Sequence, residues 1–135
     1  MKKPLTIKSV MHAFPHTIGP QMTLKVALET FREHNIRHLP VKEANKLVGI
    51  LTERDVDFAL RVEKREPEQM TVREAYTAEP FITDLDTPVA EVAARMAHDH
   101  LGCALVVDGG RLVGIFTTVD ACRALAEQLT HRAEQ

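Results

Sequence analysis

The chain has no tryptophan, one tyrosine (Tyr76) and only two cysteines. With so few large aromatics it lacks the platforms on which single-stranded nucleic acid stacks. Cys103 and Cys122 form no C-x-x-C pair, so neither a dithiol redox motif nor a cysteine-based zinc site is present, and two isolated thiols suit a reducing compartment. One-sided charge is missing too: 17 Lys and Arg against 19 Asp and Glu leave a formal charge of −2. That balance gives no broad attraction to nucleic acid or to an anionic membrane. No apolar run approaches the roughly 20 residues that cross a bilayer. Met1-Lys2-Lys3-Pro4-Leu5 has two lysines with no apolar stretch behind them and is not read as a secretory leader. The expected location is the cytoplasm.

What the chain does have is a repeat. Leu47-Val48-Gly49-Ile50-Leu51-Thr52-Glu53-Arg54-Asp55 returns as Leu112-Val113-Gly114-Ile115-Phe116-Thr117-Thr118-Val119-Asp120, 65 positions later. The same offset, without a gap, pairs Thr6 with Thr71, Pro15 with Pro80, Val41 with Val106 and Ala59 with Ala124. A repeat of this kind sets the reading of the whole chain. Its 135 residues, 44% apolar and 27% charged, suit one compact globular domain or two half-domains sharing a core.

Taken in order, residues 1–9 form a lead-in. Thr6–Met11 and its twin Thr71–Tyr76 are expected to open each repeat as a helical turn. Phe14–Pro20, with prolines near both ends, predicts a short extended piece, matched by Pro80–Thr83. Leu24, Ala27, Leu28 and Phe31 then follow helical spacing, with Lys25, Glu29, Arg32 and Glu33 opposite. Val89, Val92, Ala93 and Met96 repeat that stripe. Thr87 is the expected N-cap of the second helix with Pro88 in its first turn, and Thr23 is the cap in copy one. Apolar strands follow at Ile36–Val41 and Leu101–Val107, Pro40 being expected at a strand edge or end. Asp108-Gly109-Gly110 marks a hairpin turn. Each duplicated motif then supplies a further strand and a closing helix, with Val56, Ala59 and Leu60, or Ala124 and Leu125, facing inward.

The expected fold is therefore mixed α/β (α+β), two βαββα repeats packed sheet to sheet with pseudo-twofold symmetry. Repeat 1 is placed at 5–62, a charged exposed linker at 63–70, repeat 2 at 71–127 and, at 128–135, a tail that continues the last helix and then frays. Half-domains of about sixty residues are marginal alone, and pairing their sheets would leave a cleft between the repeats suited to a ligand.

Candidate chemistry centres on the two Thr-x-x-Asp junctions. A carboxylate accepts two hydrogen bonds from a vicinal diol such as ribose. A helix N-terminus with a Thr hydroxyl favours phosphate. The same spacing is also that of a capping box, in which Thr and Asp satisfy the helix's own N–H groups, and the two roles are compatible. Of the seven histidines, His12, His16, His34, His98, His100 and His131 read as surface or C-cap residues, and no metal-binding spacing occurs. Catalysis is not expected: no nucleophile–base pair, P-loop or paired-acid constellation stands out. Cys103 reads as a small buried strand residue.

Together, the His-Leu-Pro-Val strand at 38–41, the paired Gly-apolar-apolar-Thr-x-x-Asp motifs and the βαββα order resemble the cystathionine β-synthase (CBS) domain in tandem, over about residues 5–127. That resemblance implies a non-catalytic regulatory module, with roles that include energy sensing. It would bind AMP, ADP, ATP, NAD or S-adenosylmethionine and signal to a separate protein effector, with no cofactor required. It also implies a disc-shaped homodimer through Val56, Leu60, Ala121, Leu125 and Leu129 of the closing helices. By resemblance, Asp55 and Asp120 take ribose, and Thr52 and Thr117 face phosphate. Thr17, Ile18 and Thr83, with the strand starts Ile36-Arg37 and Leu101-Gly102, line the adenine slot, and His38, Pro40, Cys103 and Ala104 are further ligand-binding positions. Arg37, His38 and Arg54 make one region basic, whereas Gly102, Cys103 and Val119 leave the other neutral. The alternative is a structural or dimerisation module with both sites empty.

Overall fold

The computed structural model describes residues 4–134; residues 1–3 of the lead-in and Gln135 of the tail lie outside the described residues. The helices are α1 (Ile7–Val10), α2 (Leu24–His34), α3 (Glu53–Glu63), α4 (Val89–Asp99) and α5 (Thr118–Glu134). The strands are β1 (His12–Ala13), β2 (His38–Glu43), β3 (Lys46–Thr52), β4 (Thr77–Ala78), β5 (Ile82–Thr83), β6 (Cys103–Asp108) and β7 (Arg111–Thr117). The chain divides into two compact units: one runs from Pro15 to Pro80, and the other takes the chain up to Phe14 and again from Phe81 onward.

In the unit 15–80 an antiparallel sheet has the order β2-β3-β4. Ala44 and Asn45, both at positive φ, turn β2 into β3, as Gly109 and Gly110 do between β6 and β7. Helix α2 starts where the Thr23 side chain accepts the Val26 N–H. It ends at Asn35 in the left-handed conformation, a common way to stop a helix. Leu24, Ala27 and Phe31 of its predicted stripe meet Leu39, Val41, Leu51, Val56 and Ala59 in one buried cluster. Pro40 lies mid-strand on the edge strand β2. Its carbonyl accepts the Ile18 N–H, so its ring nitrogen faces the same outer side and β3 loses no ladder bond.

The other unit holds a four-stranded sheet of order β1-β7-β6-β5, with β5 parallel to β6. Its core joins Val92 and Met96 of α4 to Ala104, Val106 and Phe116 of the hairpin. The two units are α+β, each a sheet with its helices.

The opening segment of each sequence repeat belongs to the other unit. Ile7 is fully buried among Val92, Met96, Ala104, Val106 and Phe116, while its twin Val72 is fully buried with Leu24, Phe31 and Val56. The backbone repeats the exchange: Ile7 N–H donates to Thr87 O at 3.0 Å, and Val72 N–H to Met22 O at 2.8 Å. Leu24 N–H reaches Met70 O, and Val89 N–H reaches Leu5 O. Burying one such aliphatic side chain is worth about 1.5–3 kcal/mol. The chain passes between units at Phe14-Pro15 and Pro80-Phe81, with Phe14 and Glu79 in left-handed backbone.

The structure corrects several expectations. Met70, assigned to the exposed linker, is 1% exposed and part of the core, because its carbonyl and side chain complete the start of α2. Thr87 is not the cap of α4: Pro88 holds that position without a side-chain bond. The Thr87 hydroxyl donates instead to Asp84, which also takes the Asp86 N–H. Leu125 faces outward at 59% exposure, since Ala121 and Ala124 occupy the inner face one turn apart. As expected, the tail beyond 127 continues the last helix, to Glu134. The short strands β1 and β4 were not anticipated; two residues give no alternation to read.

The motif glycines sit under those short strands. A Cβ on Gly49 would collide with the Thr77 carbonyl oxygen and the Tyr76 ring, whereas one on Gly114 would meet the Met11 side chain. Backbone cannot withdraw as a thioether can. Gly49→Ala is therefore expected to cost about 1–3 kcal/mol as overpacking, and Gly114→Ala clearly less, measured by urea unfolding of both variants.

Candidate functional site

In the unit 15–80, β3 runs straight into α3. His38 is paired with Thr52 across the hairpin, so the start of β2 lies beside the helix N-terminus. The Glu53 N–H donates to Arg37 O at 3.0 Å. Thr52 Oγ1 accepts the Asp55 N–H, and Asp55 Oδ2 accepts the Thr52 N–H, both at 3.0 Å. The capping box is thus formed. It uses one carboxylate oxygen; among the described residues Oδ1 of Asp55 has no hydrogen-bonded partner. Asp55 is half-buried; Arg54, next to it in sequence, is exposed, as is Arg37, whose carbonyl meets the first residue of α3.

His38 is held below its ordinary value of 6.5, first by burial, with Asp55 opposing and Arg37 reinforcing the shift. Ile18 is a core residue whose N–H and carbonyl are engaged with Pro40 and Lys42, so only the exposed Thr17 of that pair offers a free side chain. Ile36 packs partly against the core and Pro40 is buried.

The other unit repeats the junction with different surroundings. Thr118 N–H donates to Gly102 O at 3.1 Å, and Cys103 pairs with Thr117. Asp120 is 9% exposed. Its Oδ2 accepts the Thr117 N–H at 2.9 Å and the Thr117 hydroxyl at 3.1 Å. Its Oδ1 accepts Arg123 Nη1 at 3.0 Å. Arg123 did not figure among the sequence candidates, although it stands three residues after Asp120, within helical reach. Cys103 is a neutral thiol, pushed up to about 12 by burial. Ala104 is buried and Leu101 packs partly on the core. Thr83 is a wall of a groove of about 660 Å³ with Phe81, Asp84, Arg95 and Gly110, whose lining does not include Thr117 or Asp120.

The other histidines have local roles. His16 and His34 stack with ring centroids 3.7 Å apart, His98 bonds Asp99 at 2.8 Å, and His100 ends α4 in left-handed backbone. Among the described residues no group of three or more His, Cys, Asp or Glu is arranged to hold a metal ion, and no helix is long and apolar enough to cross a membrane.

Two sheets, two strand-to-helix Thr–Asp junctions and an exchanged opening segment describe a tandem pair, and the CBS domain profile matches residues 7–61 and 72–127. The chain belongs to the CBS domain family. L-aspartate semialdehyde sulfurtransferase of Methanocaldococcus jannaschii is 36% identical over 126 residues, covering 91% of this chain and 24% of that enzyme. The chain thus spans about a quarter of that relative, and the likeness lies within the CBS region. A protein assigned to acetoin utilization (AcuB) from Vibrio cholerae superposes with a TM-score of 0.87 at 27% identity, over 98% of both chains. The CBS domain pair of protein MJ0100, crystallised with 5′-methylthioadenosine and S-adenosyl-L-methionine, superposes at 0.84 and 31% identity, over 93% of this chain and 99% of that one.

The lowered His38 value has a sign that can be measured. Below pH 6.5 the unfolded chain takes up a proton that the folded chain resists until lower pH, so the folded state loses stability as pH falls through that window. Glu74, held low by the Thr71 N–H, and Asp99, held low by His98, act only near and below their ordinary values of 4.5 and 3.8. His38→Gln is expected to flatten the loss of urea stability between about pH 7.5 and 5.5 and to leave the acid limb below it unchanged.

Proposed function

We propose that the chain is a cytoplasmic regulatory module that binds an adenosyl compound and signals to a separate protein. The observation that carries this reading is the Asp55 carboxylate. It is fixed by its own capping box at the positive end of α3, with Oδ1 uncommitted and Arg37, His38 and Arg54 close in the same unit. A free carboxylate oxygen beside basic groups suits a ribose carrying phosphate. The adenosyl ligands of the MJ0100 domain pair support the ligand class. AMP, ADP and ATP are favoured within it, because the guanidinium groups stand on this unit and their counterparts in the other are Gly102 and Val119.

Thermal melting with AMP, ADP, ATP, NAD, S-adenosylmethionine and adenosine tests this reading. A compound that binds only the native state raises the melting temperature. At least one phosphorylated member is expected to do so by more than adenosine. Asp55→Ala should weaken that compound about ten- to a hundredfold, the value of one charge-assisted bond, and still fold cooperatively. No shift with any compound would remove the sensing role.

A second reading, in which the module serves assembly, is favoured by the exposed apolar side chains of the closing helices. Phe58 and Val62 on α3 are 67% and 58% exposed, and Val119, Leu125 and Leu129 on α5 are 64%, 59% and 56% exposed. Such stripes suit a second copy of the chain, whereas Val56, also expected on that surface, is fully buried in the core. A homodimer is expected by light scattering at tens of micromolar; a monomer throughout that range would exclude it. The two readings are compatible, and an effector protein would be a further partner.

A further inference from the structure

The two Thr–Asp junctions are nearly identical in backbone and differ in what meets the outer carboxylate oxygen. In α5, Arg123 stands one turn beyond Asp120 and its Nη1 bonds Oδ1 at 3.0 Å. With Thr117 N–H and hydroxyl on Oδ2, both oxygens of this nearly buried carboxylate are engaged. In α3 the position matching Arg123 is Phe58, whose side chain is exposed and has no polar group to offer. The Thr52 hydroxyl accepts a bond from Asp55 N–H, and Oδ1 of Asp55 stays open.

We propose that Arg123 is a built-in occupant of the second carboxylate, holding Asp120 closed to a vicinal diol and reserving nucleoside binding for Asp55. The proposal rests on the adenosyl-binding reading above. A ribose needs two acceptor sites on one carboxylate, and on Asp120 the outward oxygen already holds a guanidinium. A charge-assisted bond of this kind outcompetes a neutral hydroxyl. The pair also cancels the charge of Asp120, while no side chain supplies a basic partner at Gly102, Cys103 or Val119. Arg123 itself is 62% exposed, so its head is free to leave without disturbing the core. The closure is therefore a latch set by one side chain.

Titration calorimetry with adenosine and with AMP on four proteins tests this: the wild type, Arg123→Gln, Asp55→Asn and the double variant. Thermal melting checks that each is folded, and Arg123→Met, which keeps the apolar stem, replaces the Gln variant if that one is not. One site is expected in the wild type and its loss in Asp55→Asn. Two sites are expected in Arg123→Gln and one in the double variant. Removing the guanidinium should tighten binding at Asp120 about ten- to a hundredfold, the factor of one charge-assisted bond. Two comparable sites in the wild type would overturn the proposal, as would a wild-type site that survives Asp55→Asn. A single site in Arg123→Gln that needs Asp55 would remove the role of Arg123 and leave the Asp55 reading standing. Weaker AMP binding in Arg123→Gln would make Arg123 a phosphate contact instead of a latch. No binding to any of the four proteins would remove the adenosyl reading and the latch together.

Discussion

A sheet of three or four short strands with two helices cannot close its own core, and in this chain the missing piece is supplied by exchange. Ile7 and Val72 are equivalent residues, and each is fully buried among the side chains of the other repeat. The Gly49 and Gly114 positions follow from that arrangement, because the short strand after each exchanged segment lies directly over them. So does the placement of the two junctions. Once the β2–β3 and β6–β7 hairpins are packed, β3 and β7 deliver Thr52 and Thr117 to the helix starts with no loop between. The Thr–Asp boxes then fix both carboxylates independently of any ligand.

Much of this could be read from residues alone. The 65-residue offset placed both apolar helix stripes, both hairpins and both Thr–Asp junctions in register. Where the reading failed, the cause was long-range. Nothing local marks Met70 as core, since it follows a run of charged residues and is buried only because it meets the start of α2. Thr87 has every local credential of a cap, yet Asp84 takes its hydroxyl. Leu125 matches the half-buried Leu60 by offset but lies outside, because Ala121 and Ala124 are small enough to seat α5 on that side. Ile18 was legible as part of an extended segment, though not as a residue with its backbone groups already engaged. Arg123 carried a usable signal, its three-residue distance from Asp120, which comparison of the motif residues alone passes over.

The two copies of the repeat share one junction and differ in what surrounds it. Backbone geometry at the two junctions has been kept almost unchanged, as the matched hydrogen bonds from Glu53 to Arg37 and from Thr118 to Gly102 show. What differs is the charge around the carboxylates. Asp55 has basic side chains nearby and one open oxygen, and Asp120 has a neutral strand start and an arginine already in place. The half-buried His38 extends the difference to protons, because its neutral form is favoured in the folded chain while its position beside Asp55 favours the cation. Two copies of one scaffold can in this way hold sites of different character without any change of fold.

The division of the chain also has a mechanical side. The unit 15–80 is one continuous stretch, covalently joined to the remainder at Phe14-Pro15 and Pro80-Phe81, and the other unit is assembled from the stretches on either side of it. Tension, or a tethered partner, attached toward either end of the described chain would therefore load the same unit, the one that holds Asp120. Both covalent crossings into the unit holding Asp55 pass a left-handed residue next to a proline. A single backbone cut inside 15–80 would leave the two stretches of the other unit on separate chains.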